Sequence, residues 1–415
     1  MAFYKKFKNG LRLVGAKIDG LKSVSLGVLV KTGSANESEE ENGISHFIEH
    51  TVFKGTPTRS AFDISDGIDR IGAQINAFTS KEITCYYVKS TDEHLMDSAE
   101  ILSDLFFNSV FDKEELDKER GVIIEEINMS EDTPEDLCLD LLAESYYGCV
   151  GLGRTILGPV KNIKRFNIED IKKYMAKYYT PDNVVISVVG NVTEEQAVNL
   201  CEKYFTDNFK NGVSAPQFHT ETRKRGNIFK TKKIEQAHIA MCMDGFPITA
   251  ENLDAAYIAN TVFGGGMSSR LFQKVREELG LCYSVYSYLS QYKESGVLEI
   301  YAGVNTESRD KAMDAIIKEI EKFKAQGVTE SEFIRGKEQI KSAFIMGQES
   351  TASQMLLLGK NVLFLDKVID YDKRVKEISA VTIEDVNNAI GKTFDINTAA
   401  FATVGPSRKA LKIPE

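Results

Sequence analysis

The sequence predicts an α+β fold built of two homologous domains, each a mostly antiparallel sheet packed against helices. Three observations lead to this prediction. The chain has 415 residues, which is enough for two or three domains. Strand and helix patterns are mixed along it without strict alternation, which favours α+β layers. Two short segments recur later in the chain at similar offsets, which indicates a duplicated domain.

The predicted elements of the first half follow from hydrophobic periodicity. Asn9-Gly10 is typical of a hairpin turn, and apolar residues at every second position from Val24 to Val30 predict a strand with one buried face. A β-rich segment covers 74–89, and a further strand is predicted at 184–190. Helical patterns cover residues 44–54, 62–71, 93–107, 113–131, 135–147, 168–178 and 193–206.

The stretch 207–234 loses this periodicity and gathers glycine, proline, asparagine and basic residues. We interpret it as a linker between a first domain at 1–206 and a homologous second domain at 235–415. The basic charge leaves open the alternative of a docking patch.

The internal repeat consists of two matching pairs of segments. TVFKG at 51–55 recurs as TVFGG at 261–265, and FDKEELDKERGVIIEE at 111–126 resembles VTESEFIRGKEQIKSA at 328–343. The offsets of 210 and 217 residues are consistent with two copies of one domain that differ slightly in length.

Charge and hydropathy exclude two classes of partner. Acidic residues outnumber basic ones by 61 to 51, so no global basic field attracts nucleic acid. The N-terminal segment is charged from Lys5 onward, and no later run approaches the roughly 18 apolar residues of a membrane span. We therefore expect a cytoplasmic protein that binds neither nucleic acid nor membrane. The six cysteines form no CxxC pair, and reduced thiols are expected.

The motif HFIEH at 46–50 is the strongest candidate for chemistry. On a helix, His46 and His50 lie on adjacent turns of one face, where both imidazoles can bind one metal ion. Glu49 lies between them, where its carboxylate can reach a metal-bound water without binding the metal. That is the position of a general base. Such motifs also occur on solvated helix faces.

A catalytic zinc requires a third protein ligand. Glu119 and Glu126 are seven residues apart in a predicted helix and therefore share one face. Glu125 points about 100° away from that face. Because glutamate is abundant, spacing alone leaves Glu126 open between a metal ligand and an ordinary surface carboxylate.

These motifs resemble the pitrilysin and insulinase metallopeptidases, whose inverted zinc signature is HxxEH followed by a distal glutamate. The resemblance covers nearly the whole chain. It is strongest to the small two-domain subfamily that includes mitochondrial processing peptidase and its bacterial relatives. The segments that carry it are HFIEHTVFKGTPTRS, INAFTSKEITCYY, KERGVIIEE, LGRTILGP and GGGMSSRLFQKVREELGLCYSVYS.

The resemblance implies a role for each residue of the two motifs. His46 and His50 match the zinc-binding histidines, and Glu126 matches the distal ligand of one Zn²⁺ per chain. Glu119 matches a glutamate that does not bind the metal itself but orients one of its ligands. Glu49 matches the base that takes a proton from zinc-bound water as it attacks the scissile carbonyl.

The resemblance also implies residues that bind substrate. Residues 76–79 match a strand that lies beside the metal and whose edge pairs with an extended peptide. Arg276 and Tyr283 match a pair that holds substrate and stabilises the transition state. Without the resemblance, the strand has an ambiguous face, and the pair would be a surface cation and a half-buried aromatic ring. The strand residues are Asn76, Ala77, Phe78 and Thr79.

The sequence thus predicts a zinc-dependent endopeptidase that cleaves small or unstructured peptides, with a catalytic first domain and a second domain that completes the substrate chamber. Relatives of this length dimerise, so a homodimer is expected. The alternatives are a non-catalytic subunit, a subunit that requires a separate partner chain, and a zinc hydrolase of other substrates. The complete set of site residues argues against the first alternative, and the substrate-pairing strand disfavours the last.

Overall fold

The computed structural model describes residues 2–209 and 223–413, which form two sheets of strands. The hairpin predicted at Asn9-Gly10 is present, with Gly10 at φ +96°, a conformation that favours glycine. The strands are β1 (Ala2–Lys6), β2 (Arg12–Lys17), β3 (Ser23–Val30), β4 (Gln74–Thr79), β5 (Thr84–Thr91), β6 (Val184–Gly190), β7 (Asn227–Thr231), β8 (Gln236–Asp244), β9 (Cys282–Gln291), β10 (Gly296–Asn305) and β11 (Ala400–Gly405).

The helices confirm the predicted helical segments of the first half to within a few residues. They are α1 (Ile44–Thr51), α2 (Ala61–Arg70), α3 (Leu95–Asn108), α4 (Lys113–Asp132), α5 (Pro134–Tyr147), α6 (Val160–Ile163), α7 (Ile168–Tyr178), α8 (Glu194–Cys201), α9 (Leu253–Gly264), α10 (Arg309–Gln326), α11 (Glu330–Gly347), α12 (Thr351–Leu365), α13 (Tyr371–Ala380) and α14 (Ile383–Thr393). Wider helical turns continue α8 at Glu202–Thr206 and form the segment Phe272–Glu278.

The first compact unit comprises residues 2–127, 155–209 and 346–371. Its sheet has the order β1-β2-β6-β3-β5-β4, and all neighbours are antiparallel except β2 and β6. The central strands are apolar on both faces, as β6 (VVISVVG) shows, because both faces are covered. One face packs on the main helical layer, which includes α1, α3 and α7, and the other face packs on α12.

The second compact unit comprises residues 128–154, 223–345 and 372–413. Its sheet has the order β7-β11-β8-β10-β9, with β7 and β11 parallel and the other neighbours antiparallel. Its core lies between this sheet and helices α9, α10 and α14. Helix α5 covers the strands β8 and β11, where the thiol of Cys138 donates to the carbonyl of His238 at 3.4 Å.

The two units share one topology, which confirms the predicted fold class. The strands β2, β6, β3, β5 and β4 of the first sheet correspond in order and direction to β7, β11, β8, β10 and β9 of the second. Five helices of the first copy also have counterparts in the same chain order, with α1, α3, α4, α5 and α7 matching α9, α10, α11, α12 and α14. Thus α1 and α4 correspond to α9 and α11, at the offsets of the two sequence repeats.

The compact units differ from the contiguous domains expected at 1–206 and 235–415 by one exchange of helices. Helix α5 follows α4 in the chain but belongs to the second unit, and its counterpart α12 belongs to the first. The periodicity of an amphipathic helix shows that one face is buried. It does not show which sheet buries that face.

The expected linker at 207–234 is described only at its ends, since 210–222 lie outside the described residues. At its C-terminal end, the expectation of aperiodic chain is wrong. Residues Asn227–Thr231 form β7, which pairs with β11 from Phe401 to Gly405. The lysines and arginines around this short segment obscure its alternating pattern in the sequence.

Candidate metal centre

The helix that carries HFIEH is capped by a carboxylate from outside the helix. Its N-terminal residue Gly43 has φ +98° and no side chain with which to cap the free N–H groups. The buried side chain of Glu37 performs this function. Its oxygens accept N–H bonds from Gly43 and Ser45, both at 2.8 Å, and a bond from the Asn42 amide at 3.0 Å. A negative charge at this end also complements the helix dipole.

Replacing Glu37 by alanine is expected to lower the free energy of unfolding by about 2 kcal/mol, because buried N–H groups of α1 lose a charged acceptor. Urea denaturation followed by circular dichroism measures this change. Glu40→Ala serves as the control, because Glu40 is exposed three residues away, and its effect should stay within about 0.5 kcal/mol. Equal stability of the two variants would contradict a capping role for Glu37.

The two histidines lie on adjacent turns of α1, as predicted. Phe47 and Ile48 anchor the helix in the core, and this orients the opposite face toward α4. The imidazole rings of His46 and His50 have their centroids 4.5 Å apart. Burial and the neighbouring His50 lower the pKa of His46 to about 3, so the His46 ring is neutral and keeps a lone pair for a metal.

Helix α4 supplies two carboxylates to this face. Oε2 of Glu126 lies 3.4 Å from Nε2 of His50 and 3.7 Å from Nε2 of His46. Oε1 of the buried Glu119 accepts a bond from Nδ1 of His50 at 2.8 Å. The predicted sharing of one helix face by Glu119 and Glu126 is therefore present, and the two glutamates contact opposite nitrogens of one imidazole.

The donor set fits a zinc ion. Within residues 2–209 and 223–413, His46, His50 and Glu126 form the one group of three ligating side chains, with ligand atoms within 4.8 Å of one another. Tetrahedral zinc with bonds of about 2.0–2.1 Å separates neighbouring ligand atoms by about 3.3 Å. The distances from Oε2 of Glu126 to Nε2 of His50 and of His46, 3.4 and 3.7 Å, are close to this value. Two neutral imidazoles and a carboxylate leave one position open, as catalytic zinc sites do.

Glu49 lies on the same helix and has a separate partner. Its Oε2 accepts a hydrogen bond from Oγ1 of Thr79 at 2.6 Å, at the end of β4. Burial raises the pKa of Glu49, the charge of Glu126 raises it further, and the bond from Thr79 opposes the shift. A carboxyl group with a raised pKa can both accept and return a proton near neutral pH.

The predicted substrate-binding strand is the edge of its sheet. Strand β4 is the last strand in the sheet order, and the only strand it pairs with in the described residues is β5. Asn76 is exposed, Ala77 contacts the core, and the ring of Phe78 packs edge-on against Tyr87 at 6.4 Å. The contact between Thr79 and Glu49 therefore joins this free edge to the metal centre.

Arg276 and Tyr283 belong to the second unit and contact each other there. The guanidinium carbon of Arg276 lies 5.1 Å from the centroid of the Tyr283 ring and 4.6 Å from that of Phe272. Tyr283 is the second residue of the edge strand β9 and is 77% exposed. Their predicted role toward substrate stays a prediction.

The second unit has no counterpart of the metal ligands at the aligned positions. The offsets of the repeat place alanine or asparagine where α1 and α4 carry their functional side chains. On α9 and α11, the aligned residues are Ala256, Ala259, Asn260 and Ala343.

Two polar residues near the site were not predicted from the sequence. Glu37 caps α1, but it precedes the helix by several residues and carries no local capping signature. Lys54 forms an ion pair with Glu119 at 2.5 Å. It lies four residues after His50, so the spacing that identified the two histidines also extends to Lys54.

The fold and the site together define a two-domain α+β protein in which, among the described residues, two histidines and one glutamate of the first domain form a cluster that fits a metal ion. The chain belongs to peptidase family M16, as the sequence motifs predicted. Residues 15–160 match the family model described as Insulinase (Peptidase family M16), and residues 165–340 match the model described as Peptidase M16 inactive domain. The second match agrees with the missing ligands on α9 and α11.

Known proteins similar to this chain include proteases and a chain of complex III2. An uncharacterized zinc protease of Bacillus subtilis is 43% identical over 96% of this chain and 97% of its own length. A protease of Helicobacter pylori has the same fold, with a TM-score of 0.90, 24% identity and coverage of 97% and 99%. A chain of complex III2 from Candida albicans shares the fold at 17% identity, with a TM-score of 0.84 and coverage of 97% and 96%.

The family and the names of its relatives place this chain among zinc proteases. None of the described helices is both long and apolar enough to cross a bilayer.

Proposed function

We propose that this chain is a zinc-dependent endopeptidase that cleaves small or unstructured peptides. One observation carries the proposal: His46, His50 and Glu126 place three ligand atoms within 4.8 Å of one another, while Glu49 extends from the same helix without joining them. A structural zinc site has four protein ligands and no adjacent free base. The residues here supply three candidate ligands and one separate carboxylate, which we propose as the base.

In the proposed mechanism, the bound zinc would act as a Lewis acid that polarises the scissile carbonyl and lowers the pKa of water. Glu49 accepts a proton from the attacking water and returns it to the leaving amide nitrogen. Thr79 holds one oxygen of Glu49 and leaves the other available for the proton. Glu119 keeps the His50 ring oriented through its Nδ1.

The substrate is proposed to bind along β4. Within the described residues, the outer edge of β4 pairs with no other strand, so an extended peptide can pair with it as an added strand. This mode selects an extended backbone first and side chains second, so folded proteins are poor substrates. By family resemblance, Arg276 and Tyr283 are also proposed to bind substrate.

The test uses the purified chain and a mixture of unstructured peptides. Cleavage is expected, with complete loss after incubation with a zinc chelator and recovery when stoichiometric Zn²⁺ is added back. Mass spectrometry of the products then gives the cleavage sites. A chain that holds zinc and cleaves none of the peptides would contradict a self-sufficient endopeptidase.

The alternative is a non-catalytic or partner-dependent subunit, and the likeness to a chain of complex III2 is the observation that favours it. That likeness concerns the fold alone. Size-exclusion chromatography with light scattering separates the cases when it is combined with the peptide assay. An active homodimer is the proposed result, whereas an inactive chain that gains activity only with an added second protein would support the alternative.

A further inference from the structure

We propose that Lys54 is a positioning residue of the metal centre. Its ammonium group holds the outer oxygen of Glu119, so that the inner oxygen keeps the His50 ring directed at the metal. This inference rests on the proposed zinc site and concerns how that site is held in place. Lys54 contacts neither the ligand atoms nor the substrate in this proposal, and it acts through Glu119.

The contacts form one continuous chain from Lys54 to the metal ligands. Nζ of Lys54 lies 2.5 Å from Oε2 of Glu119, and Oε1 of Glu119 lies 2.8 Å from Nδ1 of His50. Nε2 of His50 then faces Oε2 of Glu126 at 3.4 Å. An ionised carboxylate only accepts hydrogen bonds, so Nδ1 of His50 donates to Glu119 and its Nε2 lone pair is free for a metal.

Burial makes this arrangement sensitive to the loss of one partner. The side chain of Glu119 is only 8% exposed, while that of Lys54 is 29% exposed. A carboxylate removed from water needs a partner for each oxygen. Without Lys54, Oε2 loses its charged partner, and the carboxylate can turn away from His50 to regain hydrogen bonds with water.

Helix geometry places Lys54 at this point. The short turn Val52–Lys54 continues directly from α1, so positions 46, 50 and 54 follow one another at intervals of four along one side. On α4, Glu119 and Glu126 are seven residues apart. The side chains of the two helices therefore contact one another in sequence along the helix axes. Glu126 lies beside both histidines, and Glu119 lies between His50 and Lys54.

The second unit provides an internal comparison, because its aligned positions lack the candidate metal ligands and also the lysine–glutamate ion pair. At the offsets of the repeat, Lys54 corresponds to Gly264 and Glu119 corresponds to Gly336. A Cβ atom at Gly336 would lie 3.0 Å from Val262 and 3.2 Å from Ile258 on α9, so this position has no space for a carboxylate. The copy without metal ligands also lacks both members of the ion pair, which indicates that the pair serves the metal site rather than the fold.

The sign of the effect distinguishes positioning from simple electrostatics. A lysine near a dication repels it, so loss of the positive charge alone would raise the affinity for zinc. Loss of the positioning contact would lower the affinity. The two explanations therefore predict opposite changes for the same substitution.

The experiment measures zinc affinity of the full chain by competition with a chromogenic chelator. Lys54→Met is expected to lower the affinity about 10-fold, the lower end of the range for partners of metal ligands. Lys54→Arg, which keeps the charge and the donors, is expected to restore most of it. Lys118→Met is the matched control, because Lys118 pairs with Glu115 at the same 2.5 Å on an exposed part of α4. It should bind zinc as wild type does.

A double-mutant cycle tests whether Lys54 acts through Glu119. If it does, Glu119→Gln combined with Lys54→Met loses no more affinity than Glu119→Gln alone. Fully additive losses, or a Lys54→Met variant that binds zinc as tightly as wild type or more tightly, would overturn the proposal. Lys54→Gln replaces Lys54→Met if thermal unfolding in chelator shows that the latter does not fold. Absence of zinc binding in wild type would instead overturn the proposed function.

Discussion

Replacing Glu49 by glutamine is expected to lower kcat for peptide cleavage by about 10³-fold while the zinc stays bound. General-base catalysis contributes about 10²- to 10⁴-fold, and an amide cannot accept the proton of the attacking water. The substitution keeps the size of the side chain and an oxygen that can accept the bond from Thr79. Metal content by atomic absorption and the rate of peptide cleavage are measured on the same preparation.

The environment of Glu49 explains why the loss should be confined to the chemical step. Its pKa is raised by burial and by the charge of Glu126, so a neutral side chain is accommodated without strain. Glu39→Gln is the matched control, since the side chain of Glu39 is 82% exposed and forms a surface ion pair with Lys161. Full activity in Glu49→Gln, with normal zinc content, would exclude Glu49 as the base.

Replacing Glu126 by glutamine is expected to lower the affinity for zinc by at least about 100-fold. Loss of a residue that hydrogen-bonds to a metal ligand already lowers metal affinity about 10- to 100-fold. Glu126 is proposed to bind the metal directly, so its loss should cost at least as much. An amide oxygen carries no net charge, so the ion would be held by two neutral imidazoles alone. Competition with a chelator of known affinity gives the dissociation constant.

The neighbouring Glu125 provides the control for this measurement. Glu125→Gln removes the same charge one position away, but the side chain of Glu125 is exposed and points away from the histidines. Its zinc affinity should match that of wild type. If the two variants lost affinity equally, a general charge effect would explain the result, and Glu126 would not be a ligand.

The role of Glu126 could not be predicted from residue spacing alone. Seven residues between Glu119 and Glu126 predict a shared helix face, but they do not distinguish a ligand from a surface carboxylate. The resemblance to a known family selected Glu126 from the sequence. The structure brings Glu126 within 3.4 Å of His50 and turns Glu119 to the other nitrogen of the same ring. Only the packing of α4 against α1 produces this division of roles.

The duplicated fold was predictable because periodicity is a local property. The alternating residues of β3 and the helical spacing of α4 follow from which side of each element is buried. The exchange of α5 and α12 between the units was not predictable in this way. Each of the two helices has buried residues, but residue spacing does not show which sheet buries them.

The sequence by itself determined the family, the duplicated α+β domains and the motif residues His46, Glu49 and His50, because these depend on residue type and on spacing along one helix. The tertiary structure alone identified Glu37 and Lys54 as residues that support them. Glu37 caps α1 from an upstream loop, and Lys54 reaches a glutamate 65 residues later in the chain. Such contacts depend on how separate elements pack, and no local pattern in the chain records them.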